Sequence, residues 1–188
     1  MEKTDNFLKK LIFWLPEEIT ANHLTFLRLI LVLPIIFFLI SREFHWALGL
    51  FLLGALLDLF DGPLARTTGT VSEFGKILDP LADKLFIISV IMIIGYERFP
   101  HILIFLVIGI EVFLALLAIF QPLWEKIGIK RRTGSNIFGK TKMFTQSILI
   151  LVLLINPSNP SLIVISEFML ILAIILGLLS IGGHLFIK

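Results

Sequence analysis

Six stretches of the chain, 24–41, 46–60, 81–96, 102–120, 143–155 and 162–187, are apolar almost without interruption. A helix that rises 1.5 Å per residue needs about 20 such residues to cross the roughly 30 Å hydrocarbon layer of a bilayer. Several stretches come close to that length or exceed it, and the two shortest reach it once the polar turns at their ends are counted. A soluble domain of 188 residues could not bury them all: 57% of the chain is hydrophobic, 16% is charged and the mean hydropathy is +1.01. The expected fold class is therefore all-α, a polytopic membrane protein. Six transmembrane helices would form a bundle over 24–187, within a single domain of residues 1–188.

Ahead of the first stretch, Lys3, Lys9 and Lys10 precede a short apolar run that Pro16-Glu17-Glu18 ends, with no small-residue cleavage site. Phe7, Leu8, Leu11, Ile12 and Leu15 fall on one helical face, so residues 1–20 are expected to lie along the membrane interface as an amphipathic helix. The net charge of +2 is small and the basic residues sit mainly between apolar stretches, which argues for orientation in a bilayer and against nucleic acid as a partner. With no cysteine there is no disulfide, thiolate nucleophile or Cys-ligated metal, and any metal site must be built from carboxylates, His or carbonyls.

Connectors 42–45, 97–101 and 156–160 fall on one side of the expected bundle, and 62–79 and 121–142 on the other. Of the 16 Lys and Arg residues only Arg42 and Arg98 belong to the first side. By the positive-inside rule both termini and both longer connectors are cytoplasmic.

Those connectors border the most informative residues. Asp58 and Asp61 are three apart at the end of the second stretch, and Asp79 and Asp83 are four apart at the start of the third, so each pair shares a helix face. Four carboxylates converging near a membrane repel one another and lose hydration, and no equal set of Arg or Lys lies nearby in sequence. Divalent cations would compensate. Oxygen ligands without Cys or His favour hard ions such as Mg²⁺ or Mn²⁺, which commonly bind through carboxylates together with substrate phosphates. Gly62 and Gly75 leave room for a nucleotide or a neighbouring helix, and Arg66 could reach a diphosphate. Taken singly, the same residues also read as helix caps, a C-terminal glycine and a headgroup contact.

Asp58, Asp61, Gly62, Ala65, Arg66, Gly75, Asp79 and Asp83 match every fixed position of the motif of the CDP-alcohol phosphotransferase family, which the chain resembles over nearly its whole length. The resemblance implies that Asp58, Asp61, Asp79 and Asp83 hold two Mg²⁺ or Mn²⁺ ions, with Asp83 also a candidate general base. It further implies that Asp58, Gly62, Ala65, Arg66 and Gly75 bind the CDP moiety of CDP-diacylglycerol, and that the protein is a homodimer. Ala173 and Gly177 form one small-residue pair that could serve a dimer seam. Asn22, Thr25 and Arg28 resemble the segment before the family's first helix; the plainer reading is an N-cap followed by an arginine snorkelling to the interface.

The acceptor is read from Lys130-Arg131-Arg132 and from Gly139-Lys140-Thr141-Lys142 with Thr145-Gln146, which resemble phosphatidylglycerophosphate synthases of that family. Arg131, Arg132, Lys140 and Lys142 would then grip the phosphate of sn-glycerol 3-phosphate. The fourth stretch departs from that subfamily by placing Ile110 where an arginine would precede Glu111. A cardiolipin synthase using phosphatidylglycerol, and a relative using inositol phosphate, are the alternatives. Glu111, inside an apolar stretch, should be paired with a cation or polar group. A cation transporter is a different class of reading, but its site should lie near the midplane on broken helices rather than at helix ends.

The layout predicts that cysteines introduced at Ser72 and Ser135 react with an impermeant thiol reagent only from the cytoplasmic side, and one at Ser158 only from the opposite side. Reaction of Ser72→Cys and Ser158→Cys from the same side would overturn it.

Overall fold

The computed structural model describes residues 20–68, 73–120 and 136–186. Six helices cover them, with no strand among the described residues: α1 (Ala21–Ile40), α2 (Phe44–Thr68), α3 (Glu73–Val90), α4 (His101–Ile119), α5 (Ile137–Ile155) and α6 (Pro160–Phe186). Among the described residues each apolar stretch lies within one of these helices to within a residue at its C-terminal end, the third continuing into a π-helical turn at Ile91–Gly95. The proposed interfacial helix of residues 1–20 lies outside the described residues, apart from Thr20. Among the described residues four helices are long and apolar enough to cross a membrane, over Asn22–Ile40, His101–Ile119, Ile137–Ile155 and Pro160–Gly183. The chain is a membrane protein.

The helix ends differ from the apolar boundaries for local reasons. Helix α2 runs eight residues past Phe60 because its polar continuation stays helical; Gly62 is therefore inside the helix and not its C-terminal cap. Helix α3 begins at Glu73, two turns before the apolar run, so Asp79 and Asp83 lie within it rather than at its start. Helix α5 starts at Ile137, one residue after its N-cap Asn136, whose side chain accepts a hydrogen bond from Gly139 N at 2.7 Å. Lys140 and Lys142 consequently stand on the first turns of α5 and not in a connector. At α1 the N-cap is Thr20, not Asn22, and His23 Nδ1 accepts from the Thr20 backbone N–H at 3.2 Å.

Helix α1 packs on α2 and α3, and α6 packs on α5 and α4; contacts of α3 with α4 and of α5 with α2 join the two groups. Ile35, Ala47, Val90, Ile91, Ile104, Leu149, Ile150 and Leu170 are fully buried between them. Phe26, Leu33, Phe37, Ile102, Phe105 and Phe168 point outward, more than half exposed, as helices surrounded by lipid allow. Ala173 is buried, and a Cβ on Gly177 would lie 2.6 Å from Ile110 Cγ2, so Gly177 serves the contact of α6 with α4 inside the chain. A homodimer would need another surface.

Gly54 lets the Phe86 ring of α3 lie against α2, since a Cβ there would overlap that ring. Gly54→Ala should destabilise by about 1–3 kcal/mol through overpacking. Gly49→Ala, with nothing within 4 Å of its Cβ, should be neutral or stabilising by up to about 1 kcal/mol. Thermal unfolding in detergent checks the contrast; equal melting temperatures would refute it.

Candidate active site

Two charged networks meet on α3 at consecutive residues. Successive positions on an α-helix point about 100° apart, so Asp83 and Lys84 reach different neighbours. Asp83 turns toward α1 and α2. Lys84 turns toward α4.

In the first network Arg28 of α1 is buried, and its Nη1 donates to Asp58 Oδ1 of α2 at 2.7 Å and to Asp83 Oδ1 of α3 at 2.5 Å. The two carboxylates, 25 positions apart in sequence and on different helices, therefore converge on one nitrogen. Thr25, three residues before Arg28 and on the same side of α1, is buried as well, and Asn22 is half-buried. This corrects the snorkelling reading: Arg28 reaches inward to the acids rather than outward to headgroups. Asp58 has a side chain 50% exposed and Asp83 one 19% exposed, so the pair opens toward solvent on the Asp58 side.

Helices α2 and α3 also carry Asp61, Gly62, Ala65, Arg66, Gly75 and Asp79. Their side-chain positions lie outside what is described, and so do Arg131 and Arg132. Among the described residues no group of three or more His, Asp or Glu side chains forms a ready metal site. The described part of the expected four-acid cluster is Asp58 and Asp83, joined by Arg28.

In the second network Glu111 of α4 is fully buried and surrounded by donors. Lys142 Nζ lies 2.5 Å and Gln146 Nε2 2.7 Å from its Oε1, and Lys84 Nζ lies 2.8 Å from its Oε2. The expectation that Glu111 would be paired holds. Lys142, read as an acceptor ligand beside Lys140, is committed to Glu111 with only 1% of its side chain exposed, whereas Lys140 is exposed. Two ammonium groups share one carboxylate, which leaves a positive surplus among these groups. Ile110, standing where an arginine was expected, fills the space that Gly177 leaves open on α6.

The first turn of α5 is fastened to α6 by Asn136. Its Nδ2 donates to the Ser180 carbonyl at 2.8 Å, and its Oδ1 accepts from Ser180 Oγ at 3.0 Å. A Cβ on Gly183 would strike Asn136 Nδ2 at 2.6 Å, so glycine is needed for this clasp. Lys140 and Lys142 are thereby held at a fixed height beside α4 and α6.

The family model for CDP-alcohol phosphatidyltransferase matches residues 18–179. The chain belongs to that family. A protein of Rickettsia bellii named CDP-diacylglycerol–glycerol-3-phosphate 3-phosphatidyltransferase is 32% identical over 187 residues, spanning 92% of this chain and 95% of that protein. A protein of the same name from Rickettsia felis is 38% identical over 142 residues, 69% of this chain and 74% of its own length. A Streptomyces coelicolor protein named cardiolipin synthase (CMP-forming) is 33% identical over 104 residues, 53% of this chain and 45% of its own. No solved structure matches the chain. Within this phosphatidyltransferase, Arg28 is the site residue hardest to find from sequence, because its partners lie 30 and 55 residues away. The sequence signals are a charged residue one helical turn inside an otherwise apolar run and the resemblance of Asn22, Thr25 and Arg28 to the segment before the family's first helix, and neither names its partners.

Charge counting ranks the buried network. Glu111→Gln leaves two ammonium groups without an anion, whereas Lys84→Met or Lys142→Met leaves one balanced pair. Glu111→Gln should therefore destabilise most, by about 3–5 kcal/mol. Thermal unfolding of the three variants tests this order, and a Lys84→Met variant as unstable as Glu111→Gln would refute it.

Proposed function

We propose that this phosphatidyltransferase moves the phosphatidyl group of CDP-diacylglycerol to sn-glycerol 3-phosphate, releasing CMP and forming phosphatidylglycerophosphate. The observation that carries the reading is the convergence of Asp58 and Asp83 on Arg28, which brings acids of the motif on α2 and α3 to one point. The names of the Rickettsia relatives support the same donor and acceptor. All six helices would span the bilayer. Helix α2, 25 residues long, rises about 37 Å although its apolar part is shorter. The termini and the active site would face the cytoplasm, where the Lys and Arg excess lies.

The donor set suits a hard divalent ion: carboxylates, one of them half exposed, with no Cys in the chain. Asp58, Asp61, Asp79 and Asp83 would hold Mg²⁺ or Mn²⁺, which when bound would offset charge on the diphosphate and on departing CMP. Asp83 would accept the proton of the acceptor hydroxyl. A bond forms from that oxygen to the phosphorus bearing diacylglycerol, and the bond from this phosphorus to the CMP oxygen breaks. Gly62, Ala65, Arg66 and Gly75 would line the CDP site.

For the acceptor, Lys140, Arg131 and Arg132 are the phosphate ligands under this reading. The surplus positive charge of Lys84 and Lys142 over Glu111 favours an anionic acceptor nearby. The Streptomyces relative favours one second reading, with phosphatidylglycerol as acceptor.

Purified protein given CDP-diacylglycerol and Mn²⁺, with glycerol 3-phosphate and phosphatidylglycerol offered as acceptors, should convert glycerol 3-phosphate to phosphatidylglycerophosphate, identified by mass; cardiolipin as the product would select the second reading. Asp79→Asn and Asp83→Asn should each abolish CMP release from a folded protein, and excess chelator should do the same. Lys140→Gln should raise the acceptor KM about tenfold or more, the value of a charge-assisted hydrogen bond, with little change for CDP-diacylglycerol. Near-normal turnover by Asp83→Asn would reject the assigned site.

A further inference from the structure

Arg28 is already a cation at the acid cluster, and its environment makes it an unusually committed one. Its side chain is 4% exposed, and a single nitrogen, Nη1, serves Asp58 and Asp83 together. A guanidinium so placed has two opposed effects. It draws acids of two helices to one point and relieves their mutual repulsion. It also repels any second cation that approaches the same oxygens.

We infer that Arg28 is a positioning residue that acts as the internal counter-ion of the carboxylate site. It holds Asp58 and Asp83 together before a divalent ion arrives, and it weakens the hold of the site on that ion afterwards. Divalent binding is thereby kept reversible, and an anionic substrate that adds negative charge strengthens it. The inference rests on the reading of the aspartates as ion ligands. It differs from a purely structural ion pair in the sign of one effect. Loss of a structural pair would loosen the site and leave ion affinity unchanged or lower, whereas loss of a competing counter-ion raises it. Because coupling between ligands is reciprocal, the same exchange must appear in stability: the variant is weakened most when no ion is present.

The test uses the full chain in detergent, with Mn²⁺ as probe, followed by the paramagnetic signal of free Mn²⁺ and by thermal unfolding. Arg28→Gln should melt below the wild type in chelator, bind Mn²⁺ about tenfold more tightly and gain more in Tm when Mn²⁺ is added. Arg28→Lys should fall between the two, because one ammonium can serve two carboxylates that share one nitrogen. Wild-type or weaker Mn²⁺ affinity in Arg28→Gln overturns the inference. If Arg28→Gln is recovered only when Mn²⁺ is present throughout purification, the counter-ion role is supported. If it is recovered in neither medium, Arg28→Lys decides by the same criterion, tighter binding than wild type supporting the role and equal or weaker binding overturning it. A wild-type protein that binds no Mn²⁺ would instead sink the ion reading itself.

Discussion

Charge buried among apolar helices must be paired, and here the pairing passes through two adjacent residues of α3. Asp83 binds the helix to α1 and α2 through Arg28, and Lys84 binds it to α4 and α5 through Glu111. The rotation of α3 about its axis is fixed by both at once, because turning it to improve one network would pull the other apart. The apolar core fills the space around this arrangement. The orientation of the candidate site thus depends on electrostatics, while most of the packed volume depends on shape.

The close helix contacts serve the same geometry. Gly54 lets Phe86 lie against α2, and Gly177 lets Ile110 lie against α6, so α3 and α4 are seated where their charged residues meet partners. The substitution of Ile110 for an expected arginine fits this picture. That position faces a glycine on a neighbouring helix, and the charge needed near Glu111 comes from α3 and α5.

Much of this was legible in the sequence and some was not, for identifiable reasons. Apolar run length located six helices because a helix in lipid must be apolar over most of its length. It misplaced the ends of α2, α3 and α5, where polar residues continue the helix beyond the run. The spacing within Asp58/Asp61 and Asp79/Asp83 is local geometry and legible in sequence; of the four, Asp58 and Asp83 are the two that the described residues bring together, at Arg28. The need for a partner at Glu111 was evident from its apolar surroundings, but Lys84 as one of its partners was not. Arg28 was harder still: snorkelling and inward pairing look alike in sequence, and only the packing of α1 on α2 and α3 separates them.

The order of residues along the chain has a consequence for how the protein enters a membrane during synthesis. Arg28 precedes Asp58 and Asp83, and Lys84 precedes Glu111. A chain that emerges from its N-terminus presents each of these acids to the bilayer after a cation that can accompany it has been made. Lys142, emerging last, finds Glu111 already in place on α4. None of these carboxylates is made before the first cation that pairs with it.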